Sequence, residues 1–331
     1  MEQQTASNQI SFIGPLFVVG MPRSGTKLLR SLLNQHPLIH IAEIETHFLP
    51  FWFNHWDEFG DLSNKENFSS FYKKAISLPY FVYMQENSGL ISQDEWFYSC
   101  DKYDVASVFE ALIRNDTNVS KTENGIWGDK TPSYLTHVPF LKSLYSEAKV
   151  VHIVRDVRDY CLSSKNAWGK NVIRAAFMWQ QNISEFRKNL NTYPTDILEL
   201  RYEDLIDDPG TELQRICDFI DIPFNQDMIT LSQPSENLGD AKGKKSVVSS
   251  NKGKYLNAMN PHIRRKIERI AFSVLKSYGY PVQGRSTKVT ISGGRLRLYQ
   301  LLDGINLVRF EARERGFFNA LKFRWSLFKT S

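Results

Sequence analysis

The chain has 331 residues, of which 42% are hydrophobic and 13% aromatic, enough to bury one sizeable core. Its net charge of +5 suits anionic ligands and does not by itself indicate nucleic-acid binding. The sequence lacks the ~18 to 20 uninterrupted apolar residues of a membrane span, a signal-peptide pattern in its first ten residues, and the cysteine spacing of a disulfide framework or zinc site, so we expect a cytoplasmic protein.

Strand and helix patterns alternate along the chain. The near-continuous apolar runs that predict buried strands are 15–20, 126–130, 148–155 and 196–202. The predicted helices, each beyond a strand, are 26–36, 158–168, 171–190 and 210–220. This alternation predicts an α/β fold with a central, mostly parallel sheet flanked by helices.

The predicted main domain covers residues 10–282. Within it, the aromatic and polar stretch 51–125 indicates an insertion that shapes an acceptor pocket, and the Gly-, Ser- and Lys-rich stretch 232–255 indicates a mobile loop. Residues 283–331 form a basic, aromatic extension, in which 309–329 carries six basic and two acidic residues. Two interpretations stay open: a helix on an anionic membrane surface, or an apolar face that packs on the domain or on the second subunit of a homodimer.

The turn "GMPRSGTK", residues 20–27, joins the first predicted strand to the first predicted helix. Gly20 and Gly25 let backbone N–H groups approach phosphate oxygens, and the helix N-terminus favours negative charge. A Walker A loop would continue from its second glycine with Lys and then Ser or Thr, whereas Gly25 is followed by Thr26 and then Lys27. The turn is therefore an ordinary strand-to-helix joint or a site for another phosphate donor.

A second candidate phosphate element lies at the end of the strand 148–155. Arg155 ends this strand, and Ser163 follows eight positions later in the predicted helix. The two side chains can converge on one phosphate. Two other interpretations stay open: Arg155 forms an ion pair with Asp156 or Asp159, and Ser163 is only a small helical packing residue.

Together the two elements resemble the donor site of the sulfotransferases that use 3′-phosphoadenosine 5′-phosphosulfate (PAPS). The turn matches that family's P-[RK]-[ST]-G-T pattern for the 5′-phosphosulfate, and Arg155 with Ser163 matches its 3′-phosphate element. The resemblance implies a P-loop-type three-layer fold, PAPS as the donor and no catalytic metal. The residues that it assigns to the 5′-phosphosulfate are Pro22, Arg23, Ser24, Gly25, Thr26 and Lys27.

Three further segments resemble the carbohydrate and protein-tyrosine branches of that family. The segment "ETHF" implies that Glu45 is the general base, with Glu43 as the alternative. The segment "WGDKTP" implies that Lys130 and Arg23 stabilise charge at the sulfuryl group and the leaving phosphate, while a simple pairing of Lys130 with Asp129 stays open. The segment "NKGKYLNAMNP", residues 251–261 and called the late loop below, implies further 3′-phosphate contacts from Lys252, Gly253 and Lys254.

The leading hypothesis is a PAPS-dependent sulfotransferase that acts by in-line transfer on a hydroxyl of a carbohydrate or glycolipid. A peptide tyrosine or a small lipid alcohol is the competing acceptor. Two other classes stay open. One is a P-loop kinase or NTP hydrolase, against which the order of Thr26 and Lys27 argues. The other is a non-catalytic nucleotide-binding or membrane-associated scaffold, and no nucleic acid is expected as a partner.

Overall fold

A computed structural model of the chain describes residues 10–87, 89–121, 124–235, 241–283, 291–318, 320, 321 and 324. Its sheet is built from β1 (Leu16–Gly20), β2 (Ile39–Ile41), β3 (Ile126–Asp129), β4 (Lys149–Val154) and β5 (Ile197–Arg201). These strands pair in parallel in the order β2-β3-β1-β4-β5. The predicted α/β fold with a central parallel sheet is therefore confirmed.

Helices precede and follow the strands along the chain. Those between β1 and β3 are α1 (Thr26–Leu33), α2 (Leu49–Asn54), α3 (Lys65–Ala75), α4 (Pro79–Asn87), α5 (Gln93–Ser99) and α6 (Val105–Asp116). Those between β3 and β5 are α7 (Val138–Leu144), α8 (Val157–Trp168) and α9 (Val172–Thr192). Those after β5 are α10 (Tyr202–Asp207), α11 (Pro209–Phe219), α12 (Tyr255–Ala258), α13 (Pro261–Ile270), α14 (Phe272–Ser277) and α15 (Gly293–Arg315). The four helices predicted from the sequence correspond to α1, α8, α9 and α11.

The side chains of β1 alternate between two hydrophobic cores. Phe17 and Val19 belong to the larger core, whereas Leu16 and Val18 belong to the smaller one. Because both faces of β1 are buried, its sequence is apolar throughout, which is the pattern that predicts it. The sequence does not predict β2, because a three-residue strand is too short to show a period.

Parallel pairing brings three connecting segments to one edge of the sheet. Gly20, the last residue of β1, is paired with Ile153 near the end of β4, and β3 pairs with β1 on its other side. Parallel strands end at the same edge, so the turn after β1, Lys130 after β3 and Arg155 after β4 lie side by side. The carboxyl edge of an open α/β sheet is the usual position of a ligand site.

The predicted insertion, 51–125, contains most of α2 and all of α3 to α6. Its aromatic side chains pack largely on one another. The ring centroid of Trp52 lies 5.1 Å from that of Phe71 and 6.0 Å from that of Trp96, and all three residues are buried. An internal aromatic core thus accounts for much of the unusual composition, and the acceptor pocket assigned to this insertion stays a prediction.

The C-terminal extension contributes α15, which is fastened to the junction of α8 and α9. Asp303 accepts a hydrogen bond from the backbone N–H of Asn171 at 2.8 Å and pairs with Arg174 at 2.9 Å. Within the part of the chain that the structure describes, no helix is long and apolar enough to cross a membrane. Much of the predicted basic segment, namely 319, 322, 323 and 325–329, lies outside the described residues, as do 236–240 of the predicted mobile loop.

Candidate active site

The turn after β1 has a tight backbone conformation. The backbone N–H of Ser24 donates to the carbonyl of Met21 at 3.0 Å, and Gly25, the N-cap of α1, has a φ of 97°. A Cβ at Gly25 would lie 2.3 Å from Cδ2 of Tyr202, so a larger residue would force the two apart. The first turn of α1 carries no acidic side chain, and its backbone N–H groups favour an anion at the sheet edge.

Arg23 connects the two predicted phosphate elements. Its Nε donates to Oγ of Ser163 at 3.3 Å, although the two residues are 140 positions apart. Its guanidinium carbon lies 6.0 Å from the ring centroid of Trp168 at the end of α8. The turn after β1 and the face of α8 that carries Ser163 therefore border one space.

Arg155 is buried beside the turn, as the donor-site interpretation requires. Its Nη1 donates to the carbonyl of Arg23 at 3.1 Å and its Nη2 to the carbonyl of Asn251 at 2.9 Å. Its guanidinium carbon lies 4.4 Å from the ring centroid of Tyr202. These three contacts hold the Arg155 side chain between the turn and the late loop.

The acidic neighbours of Arg155 have other hydrogen-bond partners. Asp156 accepts from Arg158, with an Oδ2 to Nη2 distance of 2.6 Å. Asp159 accepts from the backbone N–H groups of Gly253 and Tyr255, at 2.5 and 2.9 Å. The competing interpretation, a simple capping ion pair of Arg155 with one of these carboxylates, therefore does not account for the contacts of Arg155.

The late loop borders the same space as the turn and Arg155, but its two lysines have different partners. Lys254 lines the cavity described below, and its Nζ donates to Oδ1 of Asn251 at 2.6 Å. Lys252 pairs with Asp207 instead. Gly253 contributes its backbone N–H to Asp159, as described above. The predicted phosphate contacts of Lys252 and Gly253 remain predictions.

A cavity of about 360 Å³ lies between these elements. The predicted donor residues among its lining are Arg23, Gly25, Arg155, Ser163 and Lys254. Two buried polar atoms, Oγ of Ser24 in the turn and Nε of Arg155, have no hydrogen-bond partner in the part of the chain that the structure describes. Buried polar groups are normally paired, so a cavity lined by several cations, one of them Arg155 with its unpaired Nε, suits a nucleotide that carries two anionic ends. Pro22, Ser24, Thr26 and Lys27 belong to the same turn and to the start of α1 but are not among the residues that line the cavity, so their phosphate contacts stay predictions.

Glu45 lies between two nitrogen-bearing side chains. Its Oε1 accepts from Nζ of Lys130 at 2.5 Å, and its Oε2 accepts from Nε2 of His47 at 3.0 Å. Burial acts to raise the pKa of Glu45, but Lys130 and His47 outweigh it and lower the pKa to about 2. Lys130 therefore pairs with Glu45 and not with Asp129, the partner that the sequence left open. Because its pKa lies far below neutral pH, Glu45 is ionised at neutral pH.

The alternative base, Glu43, is in a different environment. Its carboxylate pairs with Nη1 of Arg30 at 3.2 Å, and its side chain is 83% exposed, against 37% for Glu45. The ammonium of Lys130, which is buried, contacts Glu45. The geometry therefore supports Glu45 over Glu43, while the assignment of the base itself stays a prediction.

A buried hydroxyl network fixes the position of the segment that carries Glu45. The backbone N–H of Thr46 donates to Oγ1 of Thr131 at 2.9 Å, and Oγ1 of Thr46 lies 2.7 Å from the hydroxyl of Tyr134. Asp129 lies beside these threonines and is fully buried. Burial raises its pKa to about 7, and the neighbouring Thr131 and Thr46 side chains oppose part of that effect.

Three residues of the site make contacts that the sequence analysis does not predict. His47 contacts Glu45, and its Nδ1 lies 3.1 Å from Oγ of Ser133. Asp159 anchors the late loop, and Tyr202 supports Arg155 with its ring. The sequence signal that could have identified His47 is its position two residues after the proposed base, Glu45. The roles of Asp159 and Tyr202 depend on contacts between distant segments, which a single sequence does not indicate.

The sequence analysis expects no catalytic metal. Among the residues that the structure describes, no group of three or more His, Cys, Asp or Glu side chains is placed to hold a metal ion. The absence of a catalytic metal remains a prediction.

Comparisons with known proteins give consistent results. A model described as "Sulfotransferase family" matches residues 15–226. A putative protein-tyrosine sulfotransferase of Caenorhabditis briggsae is 26% identical over 65% of this chain and 68% of its own length. Protein-tyrosine sulfotransferase 1 of Danio rerio is 23% identical over 69% of this chain and 58% of its own length. The chain thus spans about two thirds or less of these relatives.

The solved structures agree at the level of the fold. The sulfotransferase domain of the Synechococcus olefin synthase aligns with a TM-score of 0.55 and 21% identity, over 83% of this chain and 98% of that domain. The region matched by the family model contains the turn after β1, Glu45, Lys130, Arg155 and Ser163. The chain belongs to the sulfotransferase family, and the predicted resemblance to that family and its P-loop-like fold are confirmed.

Proposed function

We propose that the chain transfers a sulfuryl group from PAPS to the hydroxyl of an acceptor, with Glu45 as the general base. The observation that carries this proposal is the position of Arg155, whose guanidinium reaches the carbonyl of Arg23 at 3.1 Å and borders the same cavity as Ser163. Two elements of this kind, joined by one cavity, suit a ligand with phosphate groups at both ends.

The two ends of the donor are assigned by the residues around them. The 5′-phosphosulfate end is bound by the turn after β1, where the N-terminus of α1, Ser24 and Arg23 favour negative charge. The 3′-phosphate end is bound by Arg155, Ser163 and Lys254, all of which line the cavity. An arginine guanidinium is suited to phosphate because its planar donors match two oxygens at once.

Glu45 and Lys130 have different roles in the transfer. The donor supplies an activated sulfuryl group. Glu45 accepts the proton of the acceptor hydroxyl, and His47 holds the orientation of its carboxylate through the 3.0 Å hydrogen bond. Lys130 contributes positive charge where the leaving phosphate becomes more negative. Since its ammonium contacts Glu45 at 2.5 Å, any movement of Lys130 towards the donor raises the basicity of Glu45.

The acceptor that we favour is the phenol of a peptide tyrosine. A phenol with a pKa of about 10 gives up its proton to a weakly basic carboxylate far more readily than an aliphatic alcohol does. Glu45, as a carboxylate, is therefore better suited to deprotonate a phenol than a sugar hydroxyl, whether or not Lys130 stays in contact with it. The names of the relatives, putative protein-tyrosine sulfotransferase and protein-tyrosine sulfotransferase 1, support the same choice.

A surface with several aromatic rings begins beside His47 and extends to Phe53. Ser133 contacts His47 through its Oγ, and the carbonyl oxygen of Ser133 lies 3.4 Å from Nδ1 of His137. The His137 ring lies 6.4 Å from Phe140, whose ring lies 5.1 Å from that of Phe53, and Phe53 is 46% exposed. Such a surface suits an aromatic side chain of an acceptor peptide.

The experiment is incubation with ³⁵S-labelled PAPS and four acceptor classes in parallel: a tyrosine peptide, a carbohydrate, a glycolipid and a small lipid alcohol. We expect label on the tyrosine peptide and none on a matched peptide in which phenylalanine replaces tyrosine. Label on the carbohydrate or glycolipid alone would restore the acceptor predicted first from the sequence. Label on none of the four, together with magnesium-dependent ATP turnover, would contradict the proposed chemistry and support the kinase alternative.

A further inference from the structure

The C-terminal helix α15 reaches the donor cavity, although it lies beyond the residues 15–226 that the family model matches. Phe310 and Arg313, both on α15, line the same cavity as Arg23 and Arg155. These two residues belong to the segment that the sequence analysis treats as a separate extension. Their position connects that extension to nucleotide binding.

One face of α15 accounts for this position. Asp303, Asn306, Phe310 and Arg313 are spaced by three, four and three residues, so they lie along one side of the helix. Asn306 donates through Nδ2 to the carbonyl of Gly169 at 2.8 Å, next to the contacts of Asp303 with the α8–α9 junction. The first half of this face is thus an anchor, and the second half extends over the cavity.

The anchor is built into the main domain. Asp303 is buried, and its carboxylate accepts from the N–H of Asn171, which is the N-cap of α9, and from Arg174. Gly169 ends α8 with a φ of 66°, and a Cβ there would lie 3.1 Å from Nδ2 of Asn306. Both contacts fix α15 at the carboxyl end of α8, six residues beyond Ser163.

The charge of the cavity favours an anion next to Arg313. Its other cationic lining residues are Arg23, Arg155, Lys244 and Lys254. The carboxylate that lines it, Asp159, already accepts two backbone hydrogen bonds from the late loop. Five cations around one cavity repel one another unless an anion of high charge lies between them.

We propose that α15 is part of the donor site, in which Arg313 binds a phosphate oxygen of the nucleotide and Phe310 covers the adenosine. This inference rests on the proposed function, because it takes the cavity to be the PAPS site. The anchor through Asp303 and Asn306 is a positioning device: it holds Arg313 over the cavity and touches no ligand itself.

The test is calorimetric titration of the full chain with adenosine 3′,5′-bisphosphate. Arg313→Ala weakens binding about tenfold, the usual effect of losing a charged hydrogen bond. Arg313→Lys keeps part of the affinity, since it retains the charge without the planar donors. The matched control is Arg309→Ala, an exposed arginine on the same helix that is not among the described lining residues; this change leaves the affinity within about twofold. Phe310→Ala weakens both the bisphosphate and unphosphorylated adenosine, whereas Arg313→Ala leaves adenosine binding unchanged.

A second variant tests the anchor. Asp303→Ala weakens bisphosphate binding through displacement of α15, and adding Arg313→Ala to it causes little further loss, because both changes remove the same contact. Circular dichroism and thermal unfolding confirm that each variant is folded.

Two results would overturn parts of this account, and they are distinguishable. If Arg155→Ala weakens bisphosphate binding but Arg313→Ala and Phe310→Ala do not, α15 has no part in the donor site and the proposed function stands. If Arg155→Ala also leaves the affinity unchanged, the cavity is not the donor site and both proposals fail.

Discussion

Glu45 has the contacts of a base that is kept ionised and oriented. It accepts from Lys130 on one oxygen and from His47 on the other. Glu43, two residues earlier, is mostly exposed and pairs with Arg30. Glu43 therefore serves as the control for changes at Glu45, because the two carboxylates are close in sequence and differ in surroundings.

Glu45→Gln should lower kcat by about 10²- to 10⁴-fold, because a positioned general base typically contributes that much. The glutamine keeps the shape of the side chain, so the affinity for adenosine 3′,5′-bisphosphate should change far less than kcat does. Steady-state sulfuryl transfer and nucleotide titration measure the two effects. Glu43→Gln is the control and should keep near-wild-type turnover; a large loss in that variant with normal Glu45→Gln activity would assign the base to Glu43.

Asp129 predicts a pH dependence of stability. Burial raises its pKa to about 7, above the ordinary 3.8, so the folded state holds its proton more tightly than the unfolded state does. This contribution to stability is complete below pH 3.8 and is lost as the pH rises through 7. Asp129→Asn should therefore stabilise the protein more at pH 8 than at pH 5, relative to wild type, in urea unfolding. Equal differences at both pH values would show that Asp129 is ionised in the folded state.

At the scale of residues, the sequence predicts side chains whose surroundings are local. Arg155 ends an apolar strand and Gly25 lies in a recognisable turn, so both can be named from pattern alone. His47 and Asp159 act through partners that the fold brings close, as in the contact of Asp159 with Gly253, 94 positions away. Single-sequence analysis has no access to such contacts.

At the scale of elements, the proposed donor site depends on two strand-to-helix connections, β1 to α1 and β4 to α8. Their strands are adjacent and parallel, so the turn after β1 and Arg155 meet at one edge. The buried apolar strands and the helices that follow them were predictable because each has a clear pattern. The late loop was predictable only by resemblance, since its position depends on Asp159 and Asn251 and not on a period of its own.

Gly25→Ala should disrupt the first connection. The added Cβ would lie 2.3 Å from Tyr202, at a φ of 97° that disfavours alanine, so we expect a loss of about 1–3 kcal/mol in unfolding free energy and weaker nucleotide binding. The measurements are urea unfolding and bisphosphate titration. Gly210→Ala, in α11, is the control: its Cβ would lie 3.6 Å from Asp208 and should be neutral or slightly stabilising. A Gly25→Ala variant with normal stability and affinity would mean that the turn tolerates the side chain.

At the scale of the whole molecule, the cationic lining of one cavity predicts strong salt dependence. The side chains involved are Arg23, Arg155, Lys244, Lys254 and Arg313. Raising the ionic strength from about 0.05 to 0.5 M should weaken bisphosphate binding by roughly tenfold or more, because the screening length falls well below 10 Å. Adenosine, which has no charge, serves as the control and should bind with the same affinity at both salt concentrations. A bisphosphate affinity independent of salt would contradict an electrostatic donor site.

The fold class follows from the sequence because strand and helix patterns alternate along much of the chain, and the family follows because its short motifs can be recognised without a structure. The acceptor does not, because it depends on the shape of a surface. The helices between β2 and β3 illustrate the limit: their aromatic residues suggest a binding pocket, yet Trp52 and Trp96 pack into an internal core. Likewise, the sequence separates the C-terminal extension from the domain, while Phe310 and Arg313 line the same cavity as Arg23 and Arg155.

The central claim is that one cavity binds both phosphate ends of a single adenosine nucleotide. Its most direct test compares the affinities for adenosine 3′,5′-bisphosphate and adenosine 5′-monophosphate in the wild-type protein and in Arg155→Ala, by calorimetry. The account predicts that the wild type prefers the bisphosphate and that Arg155→Ala lowers this preference at least about tenfold, mainly by weakening the bisphosphate. An unchanged ratio of the two affinities in Arg155→Ala would contradict it.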